Sequence, residues 1–159
     1  ANKIYKEVFL KGKLNLLEKI LYKKKLMAII ARKEFAKKKG ISFVTPNEFN
    51  IQFAFMNHSK SYKIRPHLHF KKKLKKINTS EVIYLIDGKL RVDFYNKQKK
   101  YLFSKLVSKG DTIMLIDQGH GFKILKKTIM LEVKQGPYSE KTDKVKFDSI
   151  DESKIKIRK

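Results

Sequence analysis

Between residues 13 and 24, Leu14, Leu17, Ile20 and Leu21 fall on one side of a helix with Lys and Glu opposite, which predicts a short amphipathic helix. From residue 26 onward the period shortens to two. Segments 26–31 and 41–45 read as short strands, the second closed by Pro46-Asn47. Phe49, Ile51, Phe53 and Phe55 then alternate with Asn50, Gln52, Ala54 and Met56, the pattern of a strand with one buried face. Further strands are expected over 62–70, 101–107, 112–116, 122–125 and 128–134. Segments 81–86 and 89–95 flank Asp87-Gly88, a dipeptide that predicts a hairpin turn. Beyond Gln135-Gly136-Pro137 the alternation stops, and residues 148–159 read as a tail that is loose or laid on the surface.

Many short strands separated by turn signals predict an all-β sandwich or barrel rather than a parallel sheet. The 159 residues fit a single domain: a helical segment over 1–25, a barrel over 26–147 and the tail. Segments 82–86 and 113–116 are apolar at both parities, so each needs cover on two faces. The N-terminal helix or a second subunit would supply it, and a homodimer is expected. No apolar run approaches the roughly 20 residues that cross a bilayer, and the first residues lack a secretory cleavage pattern. A cytoplasmic protein without a membrane partner is the expectation. Cysteine is absent, so any metal must rest on His, Asp or Glu.

The net charge of +24 is compatible with nucleic acid, an acidic surface or a small anionic substrate. Of the basic residues only Arg32, Arg65, Arg91 and Arg158 carry the guanidinium fork that reads guanine and phosphate. The rest is lysine spread over many loops, including runs 37–39 and 71–76. Lysine-rich composition explains most of this charge, and specific nucleic-acid binding is not expected.

Candidate chemistry concentrates on histidine. His67 and His69 are one residue apart in a strand candidate and project from the same face, the spacing by which a strand offers a metal two imidazoles. Glu81 opens the next apolar strand, with Gly88 seven residues later; Gly110-Asp111 leads through a strand to Gly119-His120-Gly121. Together these features resemble the two motifs of the cupin superfamily over about residues 61–125. Ser61 stands where the first motif begins with Gly, and residues 70–80 lengthen the usual gap before Glu81. The stretch from Glu132 to Tyr138 is similar to the tail of small cupin metalloproteins associated with surface-polysaccharide and nucleotide-sugar biosynthesis.

The resemblance implies a jelly-roll β-barrel (a double-stranded β-helix) holding one divalent Fe, Mn, Ni, Co or Zn on His67, His69, Glu81 and His120. It also implies an enzyme acting on a small anionic carbohydrate or nucleotide-sugar, with isomerase or epimerase chemistry preferred over lyase or dioxygenase chemistry. A metal- or sugar-binding cupin without turnover, a metal-free sugar isomerase using His as base, and a basic nucleic-acid-binding barrel are the alternatives. Arg65 shares the parity of His67 and His69 and is a candidate for the substrate's negative charge, with Tyr84 and Tyr95 as further substrate contacts. Arg91 and Asp93 read as a surface pair, and His58 as a turn residue.

Overall fold

The computed structural model describes residues 16–70, 79–136 and 144–159. Within them lie β1 (Leu17–Tyr22), β2 (Lys25–Ala31), β3 (Gly40–Phe43), β4 (Ala54–Asn57), β5 (Glu81–Tyr95), β6 (Tyr101–Ser108), β7 (Thr112–Leu115) and β8 (Gly119–Lys134). Short 3₁₀ turns occupy Lys33–Lys37 and Glu152–Lys154. The main sheet runs β1-β2-β7-β5-β6, with β8 also paired to β5, and β3-β4 form a separate ribbon. These strand pairings are antiparallel, as an all-β chain with short connections requires. Among the described residues the sheet does not close into a barrel. None of their helices is long and apolar enough to cross a membrane. The first 15 residues, the lysine run 71–76 and the Pro137-Tyr138 pair lie outside the described residues.

The helix expected over 13–24 is, in its described part, the strand β1. Lys23 and Lys24 take φ of 47° and 64° and turn the chain back onto β2, so that Ile20 pairs with Ala28. Leu17 and Ile20, three residues apart, therefore face opposite sides of the sheet. Ile20 joins a core with Ile30, Ile83, Leu90, Phe94 and Ile113, whereas Leu17 packs on a second core of Ile29, Phe35 and Val44. A strand buried on both faces reproduces the spacing of an amphipathic helix. The second core lies on the other face of β2 and takes in Ile116, covered by the β3-β4 ribbon and the first 3₁₀ turn, with Phe55 edge-on to Phe35. The outer face of 82–86 has no such cover among the described residues, and Tyr84 and Ile86 are exposed there.

Asp87-Gly88 does not make a hairpin. Segments 81–86 and 89–95 are one strand of 15 residues, and 122–125 and 128–134 likewise belong to the 16-residue β8. The two strands pair along their whole length, from Glu81↔Lys134 to Tyr95↔Gly119, with register shifts between Leu85 and Leu90. Gly88, at φ 97°, bends the ribbon there. A Cβ on it would stand 2.6 Å from the Thr128 Cα, so the two strands approach too closely for any side chain. β5 thus bends between two sets of neighbours, β7 beside its first residues and β6 beside its last.

Three further expectations change. Of the strand expected around 49–56 only Ala54–Asn57 pairs, because Gln52 is drawn into a turn, donating to Pro46 O and Phe49 O. Residues 62–70 form no regular strand. Arg91 and Asp93 are a pair, but a buried one: the C-terminal residues lie along β6, Ser104 N donating to Lys156 O, and bring Glu152 onto Arg91 at 2.7 Å.

Candidate functional site

The ladder positions of Glu81 and His120 set them at opposite ends of the β5-β8 ribbon. Glu81 pairs with Lys134, and His120 with Phe94. A straight strand of this length would hold its ends roughly 45–50 Å apart. The bend at Gly88 closes that distance, and the His120 Nε2 lies 3.1 Å from the Glu81 Oε2. The hydrogen bond from His120 holds the Glu81 carboxyl below the usual carboxylate range, against the effect of burial and aided by Lys134 and Lys144. Glu81 is therefore the acceptor, and His120 donates through Nε2–H.

His120 lies in the wall between two clefts. The larger, about 590 Å³, is lined by Thr79, Asn96, Lys97, Lys99, Gln118 and Phe147 among others. The smaller, about 310 Å³, is lined by Tyr95, Gly121, Lys144 and Phe147. Tyr95 is buried, its ring edge-on to Phe147 at 5.1 Å, and its hydroxyl accepts from Ile150 N. Burial pushes its phenol pKa up, which keeps the hydroxyl neutral. Lysines dominate the rim: Lys97 reaches Asp117 at 3.3 Å, and Lys99 stands over Phe147.

The other expected site residues lie elsewhere. His67 and His69 sit on the exposed segment 62–70, which forms no strand, their rings edge to face with centroids 5.0 Å apart. The His67 Nδ1 is 2.8 Å from the Arg65 carbonyl oxygen, which can only accept. That bond places a proton on Nδ1. Arg65 is exposed on the same segment. Tyr84 pairs with Thr112 and Leu131 and, by strand parity, faces away from Glu81 and Ile83. His58 stacks on Tyr62 at 4.0 Å with its Nε2 buried and without a hydrogen-bond partner.

The structure thus brings Glu81, His120 and Tyr95 to one place and His67, His69 and Arg65 to another. Among the described residues no group of three or more His, Asp or Glu is assembled. Glu81 and His120 are of the residue types that bind divalent ions, and the His120 Nε2 would have to give up the proton it donates to Glu81 to hold one. Lys97, Gln118 and Phe147 escape sequence reasoning, because they come from a turn, a loop and a C-terminal segment with no motif between them. Compared with protein-family models, curated proteins and solved structures, the chain matches none.

Proposed function

We propose that this chain is a metal-binding protein of the cupin type, holding one divalent transition metal on Glu81, His120, His67 and His69 and acting on a small anionic carbohydrate or nucleotide-sugar. The observation that carries the reading is the meeting of Glu81 and His120, 39 residues apart in sequence, at 3.1 Å, with His120 in the wall of a cleft of about 590 Å³. A ribbon must be bent almost double for these two residues to touch. On this reading the bent β5-β8 pair would belong to a jelly roll whose wall segment 62–70 completes. Ser61, in the place of the motif's Gly, adopts φ 72°, the conformation glycine favours, which further supports the likeness.

Three imidazoles and a carboxylate suit Fe(II), Mn(II), Co(II), Ni(II) or Zn(II). Bound there, such an ion would supply Lewis acidity toward a carbonyl or hydroxyl oxygen. The protein's own groups would do the rest. Lys99 gives the cleft a positive rim for a phosphate or carboxylate beside the Lys97–Asp117 pair, and Phe147 offers a flat apolar surface to a sugar or base. Isomerisation or epimerisation is the preferred reaction.

Titrating metal-free protein calorimetrically with each of the five ions tests the reading. One ion per chain is expected, weakened about 100-fold or more in Glu81→Gln or His120→Ala. Failure of all five to bind would overturn it. Product formation from a panel of nucleotide-sugars, followed by mass spectrometry, then identifies the substrate.

A second reading has its own observation. A carboxylate that orients a histidine beside a cleft is the arrangement of a general base, and His120 with Glu81 would serve a metal-free isomerase. Turnover that survives exhaustive chelation would favour it.

A further inference from the structure

We propose that the edge of β8 away from β5, which no described strand pairs, takes segment 62–70 of a second copy of this chain as an added strand, so that each protomer completes its partner's metal site. This rests on the metal-binding reading above for the site, though not for the strand exchange. β8 is 16 residues long and, among the described residues, pairs only with β5. Among the described residues no strand pairs with its other edge, and an unpaired strand edge is the usual template for strand addition. Large apolar side chains accompany it: Ile129, Leu131 and Val133 are all more than half exposed.

The same chain carries a complementary unsatisfied piece. Segment 62–70 has no ladder of its own, and as an added strand it would put Tyr62, Ile64, Leu68 and Phe70 on one side and Lys63, Arg65, His67 and His69 on the other. Leu68 is 95% and Phe70 93% exposed, close to the exposure of an unfolded chain. Nine residues reach about 30 Å, half or more of β8. Pro66 is no obstacle if the odd-numbered residues make the ladder, since its missing N–H then faces away.

Area favours a second copy. With roughly 150–200 Å² for each fully exposed large side chain, segment 62–70 and the β8 face offer on the order of 1,000 Å² per contact. An exchange between two copies makes that contact twice, on the order of 2,000 Å², which is the range of stable interfaces. Opposing this, both surfaces are basic, with Lys63 and Arg65 meeting Lys123 and Lys126. Salt should therefore strengthen the dimer.

The exchange also explains why the site is divided. Glu81 and His120 wait at the cleft while His67 and His69 stand on an exposed arm, so the pair of imidazoles would come from the partner subunit.

Two experiments test this. Sedimentation at high salt should give a dimer for the wild type and a monomer for Leu68→Asp/Phe70→Asp, with unchanged circular dichroism because both side chains are already exposed. A monomeric wild type, or a dimer indifferent to the double substitution, would overturn the exchange whether or not metal binds. Complementation then tests the shared site. His67→Ala/His69→Ala and Glu81→Gln/His120→Ala should each bind no metal alone. After mixing in equal amounts and exchanging subunits, half the dimers carry one intact site of two, so about one quarter of wild-type capacity should return. No recovery, with the wild type binding normally, would mean the arm closes on its own chain and would overturn the proposal. A dimeric wild type that binds no ion would instead overturn the metal reading and leave the exchange standing.

Discussion

Gly88→Ala tests the link between the fold and the site. Two costs arise at this position. At φ 97° the backbone sits where a Cβ meets its own chain, a penalty of about 1–2 kcal/mol. The added methyl would also stand 2.6 Å from the Thr128 Cα and press on the Lys127 carbonyl, so the β8 backbone must move; overpacking of this kind costs about 1–3 kcal/mol. The expected loss is about 2–5 kcal/mol. Gly40→Ala is the matched control, because Gly40 has φ 81° but nothing within 4 Å of its would-be Cβ. It should show the backbone cost alone, about 1–2 kcal/mol. Urea unfolding of both variants isolates the packing contribution as their difference. The bend at Gly88 is what brings His120 to Glu81, so Gly88→Ala should also weaken metal binding while Gly40→Ala leaves it intact. Equal destabilisation by the two substitutions, or normal metal affinity in Gly88→Ala, would refute the reasoning.

Arg91→Ala should cost about 3–5 kcal/mol, because it strands Asp93 as a buried, uncompensated carboxylate; denaturant unfolding measures it, and quicker proteolysis of the C-terminal residues should accompany it. A loss below about 1 kcal/mol would show the pair to be solvated. Glu18 is pushed up by burial, but its bonds from Lys105 and Arg32 outweigh this and hold its pKa below the ordinary 4.5. Its contribution is therefore present at neutral pH and lost as the pH falls through that lowered value. Glu18→Gln should be less stable than the wild type at pH 7, with the gap closing in strong acid; a gap of constant size would contradict the ion-pair account. Nucleic-acid binding, tested by fluorescence anisotropy, should be weak, indifferent to sequence and nearly abolished between about 50 and 200 mM salt.

Much of this protein can be read from the chain alone. The period-two alternation and the closely spaced turn residues specify an all-β fold, because side chains of a strand alternate between faces whatever the strand pairs with. The strand expected around His67-x-His69 does not form: their rings lie edge to face, 5.0 Å apart, on a segment without a ladder. The identity of β1 as a strand was not legible. Leu17 and Ile20 look helical until β2, β3 and β4 provide two cores for them to enter. Asp87-Gly88 signals a sharp backbone conformation, and that much is correct; whether the chain reverses or merely bends depends on β8 being available to pair on both sides of the glycine. The burial of Arg91 and Asp93 depends on C-terminal residues 61 positions away in the case of Glu152. The meeting of Glu81 and His120 has the same origin. Local sequence determines which side chains share a face, because that follows from backbone geometry over two or three residues. Which faces meet is decided only by long-range packing, where one bent ribbon brings the two ends of a 15-residue strand into a single site.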